Sequence, residues 1–125
     1  MSYSLTEIPE MPVVEISIGG TLSESSFAEI SERIDHLIEL HKRIRVLEYI
    51  NPQGALDPSA FLVGVKLEPH QVRCISHLAV VTELPWIQFL TNAIAMSVPV
   101  TTRLFSMEEI ESARSWILDP NSSRH

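Results

Sequence analysis

A single α/β domain with a four- or five-stranded, mostly parallel sheet and about four helices is predicted by three features of the sequence. Strand-like and helix-like segments alternate after residue 12, the most apolar short run reads as a buried parallel strand, and proline or capping residues open the helical segments that follow strands. A chain of 125 residues has room for one compact core. The domain is expected over residues 1–120, with residues 121–125 as a flexible tail.

The elements follow in order. Residues 3–8, YSLTEI, have β character, and Pro9 and Pro12 bracket a turn before MPVVEISIGG, so the first two strands are predicted to pair antiparallel. In the second, Val14, Ile16 and Ile18 fall on one face and Val13, Glu15 and Ser17 on the other. That partly polar face predicts an edge or partly covered strand. Gly19 and Gly20 end it, and Thr21 or Ser23 is placed to cap a helix in which Phe27, Ile30, Ile34, Leu37, Ile38 and His41 recur at helical spacing. Its opposite face carries Glu29, Glu32, Arg33, Asp35, His36 and Glu39, a solvated surface where Glu29 and Arg33 have the spacing of an exposed ion pair.

The run IRVLEYI at 44–50 is short and rich in β-branched residues, which predicts a central strand with Glu48 near its exit. Asn51 to Gly54 break it. Asp57-Pro58 then offers an N-cap and a proline at the first helical position, and Ala60, Phe61, Gly64 and Val65 form a stripe up to Glu68, where Pro69 kinks or divides the helix. LAVVTE at 78–83 reads as the buried parallel strand. Pro85 starts a helix in which Trp86, Phe89, Leu90, Ala93 and Ile94 return to one side. Val98-Pro99-Val100 resets the chain for the strand VTTRLF. Ser106 and Glu109 form a capping box for a last helix with Ile110, Ala113, Trp116 and Ile117 on its inner face.

Composition excludes several classes of function. Nine Lys and Arg against sixteen Asp and Glu give a net charge of −7, which repels phosphate polymers and anionic bilayers, so no nucleic-acid partner is predicted. No segment has the apolar length of a membrane span. A single cysteine rules out an internal disulfide, and the N-terminus lacks the basic start and apolar run of a signal peptide, so a cytoplasmic location is expected.

The search for chemistry finds no catalytic set, cofactor or metal. Gly19-Gly20 lacks the remaining glycines and the Lys-Ser or Lys-Thr ending of a phosphate loop, and no serine sits in a G-x-S-x-G elbow. His70, Cys74 and His77 share a face only if one helix runs through all three, and no fourth zinc ligand lies near. Glu48, Asp57 and Glu83 lie at predicted element ends, where carboxylates ordinarily cap or turn. The apolar residues Phe61 and Val65 on one helix, with Trp86, Phe89 and Leu90 on another, either bury against the sheet or border a pocket or protein contact.

The segments VVEISIGGTLS, RVLEYI, HLAVV followed by Trp86, and RLFSMEEIESARSWI together resemble the SpoIIAA-like family from Val13 to Leu118. That fold is shared with STAS domains and is also grouped under SEC14-like names. The resemblance implies a non-enzymatic regulatory or protein-interaction module, with a protein partner and a homodimer expected. STAS antagonists bind a partner kinase and are controlled by phosphorylation of a serine after the central strand. Here that place reads NPQGALDPSAF, which makes Asp57 and Ser59 the nearest matches and Ser59 the candidate phosphorylation site. The chain departs from the pattern at Pro58 and at Ala60-Phe61-Leu62, which replace the usual small, glycine-rich continuation. Asp57, Ser59 and Phe61 are therefore one candidate contact, and Trp86 and Phe89 another. The SEC14-like naming implies the alternative, a small amphipathic ligand or lipid held between helices and sheet or at a dimer interface.

Overall fold

Alternation along β1 (Ser2–Glu7) and β2 (Val13–Gly19) is what commits both strands to one sheet with two unlike faces. The computed structural model describes residues 2–19, 24–50, 69–96 and 100–121. Within them the other strands are β3 (Ile44–Ile50), β4 (Ile75–Val81) and β5 (Thr101–Phe105). The helices are α1 (Glu24–His41), α2 (Pro69–Cys74), α3 (Pro85–Ala95) and α4 (Ile110–Leu118), the last entered through a 3-10 turn at Met107–Glu109. The five strands lie in sequence order, β1 antiparallel to β2 and every later pair parallel. The predicted α/β architecture is the one found.

Register divides the core into two layers. On one face Val14, Ile16, Ile18, Ile44 and Val46 pack under Ile30, Ile34 and Leu37 of α1, and farther along the same face Ile50 and Val80 receive Ile87 of α3. On the other face Val13, Leu47, Ala79, Val81 and Phe105 pack against Ala113, Trp116 and Ile117 of α4. The central strand β3 is thus covered on both sides, as its apolar run requires. Buried Gln71 fastens α2 to α1, its Nε2 donating to Ser31 Oγ and to Asp35 Oδ1, both at 2.9 Å.

Several expectations need correction. β2 is internal, flanked by β1 and β3, so of its two predicted settings the edge position falls away and the partly covered one is found, with Glu15 and Ser17 half-buried. β4 begins at Ile75, three residues earlier than predicted, because Ile44 pairs with Ile75 and Arg45 with His77, the register shifting past Ser76 between them. Glu29 and Arg33 do not pair along α1. Glu29 accepts a hydrogen bond from the Tyr3 hydroxyl, and Arg33 meets Glu7 at 2.5 Å, because the edge strand β1 lies beside that flank of the helix. The helix expected from Asp57 to Glu68 lies outside the described residues.

Candidate functional site

Helix α3 is placed by bonds at its start. Thr82, buried after β4, donates its N–H to the Phe105 carbonyl and accepts the Leu84 N–H on Oγ1, while Gln88 Nε2 donates to the Thr82 carbonyl. Pro85 occupies the opening turn, where a missing N–H removes no helical bond. These contacts set the rotation of the helix. Ile87 and Thr91 point inward and are buried, Trp86 is half-buried at the rim, and Phe89 is turned outward. Of the two readings left open for this stripe, Phe89 takes the exposed one, while Trp86 packs at the rim of the cluster in which Ile87 fits between Ile50 and Val80.

The outward side of α3 is the unusual surface. PWIQFLTNAIA contains no charged residue, in a chain whose net charge is −7. Phe89 is 73% exposed and Met96, just past the helix, 90%. Residues 86, 89, 93 and 96 are spaced by three, four and three, so Trp86, Phe89, Ala93 and Met96 form a single helical stripe. Surface helices normally carry charge on the side away from the core. Met96 was not singled out from the sequence, although its spacing from Phe89 was the available signal. Asp57, Ser59 and Phe61 lie outside the described residues.

The remaining polar candidates have structural partners. Glu83 Oε1 accepts the Met107 N–H at 2.7 Å, and the Ser106 N–H donates to Glu109 Oε1 at 2.8 Å in the predicted capping box, so both carboxylates secure the entry to α4. The backbone bond from Ser106 holds the Glu109 carboxyl below its usual pKa. His70, on α2, lies 3.2 Å from Asp35 of α1, whereas His77, on β4, contacts Ser76 Oγ and stands T-shaped to the Trp116 ring. The helix does not run through to His77, and among the described residues no group of three candidate metal ligands forms.

Glu48 is different. It stands in the cross-sheet row Leu5, Ile16, Glu48, Val80 and Leu104, under the helix-covered face of the central strand. Its surface is only partly open to solvent, and burial raises its pKa from 4.5 to about 7. Beyond α4, on the opposite face, no other described helix packs over β1 and β2. Ser4, Thr6, Glu15, Ser17, Tyr49 and Arg114 line a cavity of about 250 Å³ there, with Arg114 Nε 3.2 Å from Glu15 and Nη1 3.0 Å from Glu111. Alternation of small polar residues on β1 and β2 was its sequence signal.

With the order of strands and helices established, the SpoIIAA-like family profile matches residues 13–118. The chain belongs to the SpoIIAA-like family. A solved structure from Shewanella loihica PV-4, described as an uncharacterized protein of the DUF3478 family with a SpoIIAA-like fold, is similar across 93% of this chain and 92% of that one, with a TM-score of 0.69 and 14% identity. At that identity the likeness concerns the fold. No curated protein matches this SpoIIAA-like chain. None of its described helices is long and apolar enough to cross a membrane.

Proposed function

We propose that this SpoIIAA-like domain is a non-enzymatic protein-interaction module whose recognition element is helix α3. The observation that carries the reading is Phe89, 73% exposed on a helix without a single charge. Covering such a ring contributes about 2 kcal/mol, enough for an anchor when Trp86 and Met96 are covered with it. Docking on α3 would also leave no ionised group of that helix stripped of water. Asp57, Ser59 and Phe61 form the second proposed contact, with phosphorylation of Ser59 as its proposed control; a phosphate near a helix start would add close to two negative charges.

The cavity beside α4 gives the amphipathic-ligand alternative little support, since only Ile16 and Tyr49 offer apolar surface among its hydroxyls and ion pair, where such a ligand needs a mainly apolar lining. The experiment is site-specific photocrosslinking in cells that express the protein, with the crosslinker at position 89 and, for comparison, at position 32 on the acidic face of α1. A discrete crosslinked protein obtained from position 89 only, and weakened about tenfold or more in competition by Phe89→Ser, is the expected result. A crosslinked second copy would assign the partner as a homodimer. Identical products from both positions, or none from position 89, would refute the role of α3.

A further inference from the structure

Parallel pairing brings the starts of β3, β4 and β5 to one end of the sheet, with Ile44 beside Ile75 and His77 beside Thr101. The residues entering those strands are basic. Lys42 and Arg43 precede β3, Arg45 lies within it, and Arg73 closes α2 one residue before Cys74 leads into β4. Four of the chain's nine Lys and Arg are therefore at one end of a molecule carrying −7. Of the described acids around that end, Glu10 in the β1–β2 turn and Glu39 one turn up α1 form no salt bridge with these cations among the described residues, and Asp35 is engaged by Gln71 and His70 of α2.

The cations divide into two kinds. Arg45 is half-buried, its Nη2 donating to the Leu118 carbonyl at 3.3 Å and its Nε enclosed without an acceptor, so it supplies field more than contact. Lys42, Arg43 and Arg73 are exposed. Lys42 has φ of 70°, the left-handed conformation that favours glycine at a helix end. A lysine there gives up some backbone comfort and projects a charge beyond α1. The shared positive field registers on His77, whose proton affinity is lowered by burial and then by Arg45 and Arg43.

We propose that this end of the sheet docks a short acidic segment of a protein partner, with Lys42, Arg43 and Arg73 as the contact cations. The inference rests on the interaction reading above but uses residues distinct from the α3 stripe. Size selects the occupant. From β2 to β5 the sheet end spans about 14 Å, the length of roughly four extended residues. A run of four or five carboxylates fits that span, whereas a longer polyanion would extend over the outer face of α1, where Glu29, Glu32, Asp35 and Glu39 repel it.

The test is fluorescence anisotropy with a fluorescein-labelled pentaglutamate peptide and the whole protein at about 20 mM salt. Saturable binding is expected, weakened about tenfold by raising salt to roughly 200 mM and about tenfold or more in the variant Lys42→Glu, Arg43→Glu, Arg73→Glu. The milder variant Lys42→Gln, Arg43→Gln, Arg73→Gln should lie between, and unchanged thermal melting of both verifies folding. Phe89→Ser should leave the peptide affinity within twofold, so this docking site and the α3 reading fail separately. Absence of binding at low salt, equal affinity in the charge-reversed variant, or tighter binding of a single-stranded pentanucleotide would overturn the proposal.

Discussion

Replacing Glu48 by Gln tests how the central strand tolerates a carboxyl group. Burial raises the Glu48 pKa from 4.5 to about 7, with no neighbouring charge contributing. The folded protein therefore retains a proton between those values where the unfolded chain has released it. Stability falls as pH rises through that window, and the loss is complete above about pH 7. At about 1.4 kcal/mol per pKa unit, the shift corresponds to roughly 3 kcal/mol. Glutamine has nearly the same shape and no titration, so Glu48→Gln should remove this slope. We expect the variant to gain about 3 kcal/mol relative to the parent between pH 4.5 and pH 8, read as a growing separation of urea midpoints at constant m. Comparing the two pH values cancels any fixed difference between amide and acid, and the other carboxyls titrate alike in both proteins. Parallel midpoints across the range, within about 0.5 kcal/mol, would show that Glu48 is solvated and ionised at neutral pH. A carboxyl carbon titration by NMR gives the same answer directly, with a midpoint near 7 expected and one below 5 contradicting the burial argument.

Two substitutions test the α4 layer. Trp116 is 4% exposed and packs on Phe105 and His77, with Arg103 over its ring at 5.4 Å, so Trp116→Ala should lower unfolding free energy by about 3–5 kcal/mol in chemical denaturation; a loss below about 1 kcal/mol would mean the ring is not a core element. Glu83→Ala removes the acceptor of the Met107 N–H and should cost about 1 kcal/mol, visible as a fall in Tm of roughly 3–5 °C. An unchanged Tm would show that water satisfies this N–H equally well.

Local pattern carried most of the fold. The alternation of β2, the apolar run of β3, the period of α1 and the capping box at Ser106 each name their own secondary structure, because each signal comes from neighbours along the chain. What the sequence left open depended on pairing between distant residues. The early start of β4 follows from Ile44 finding Ile75, and the strand-to-helix choices of Tyr3 for Glu29 and Glu7 for Arg33 follow from where β1 lies. The rotation of α3 belongs to the same class. Two apolar stripes are available on a helix so rich in apolar residues, and the Thr82 and Gln88 bonds select the one through Ile87. For the same reason Trp86 and Phe89 were legible as special residues while the choice between burial and exposure, which falls to exposure only at Phe89, was not, and the cavity required knowing that α4 packs mainly over β3 to β5.

Charge placement gives the two proposed contacts a common physical logic. A net charge of −7 repels an acidic partner at long range, so attraction is confined to the end where Lys42, Arg43, Arg45 and Arg73 gather. Helix α3 crosses back from the end of β4 to the start of β5, which carries its C-terminal end toward that same end of the sheet. An acidic segment held by the cations would therefore arrive close to the lower end of the Phe89–Met96 stripe. Charges at the rim set orientation and the rate of encounter, whereas a buried aromatic anchor sets how long a complex lasts. Separating the two functions requires that the anchoring surface carry no ion of its own, since each would have to be desolvated on docking. The absence of Asp, Glu, Lys and Arg from residues 85–95 meets that requirement. Core packing does not explain it, because the side facing solvent is where charge would have been free to remain.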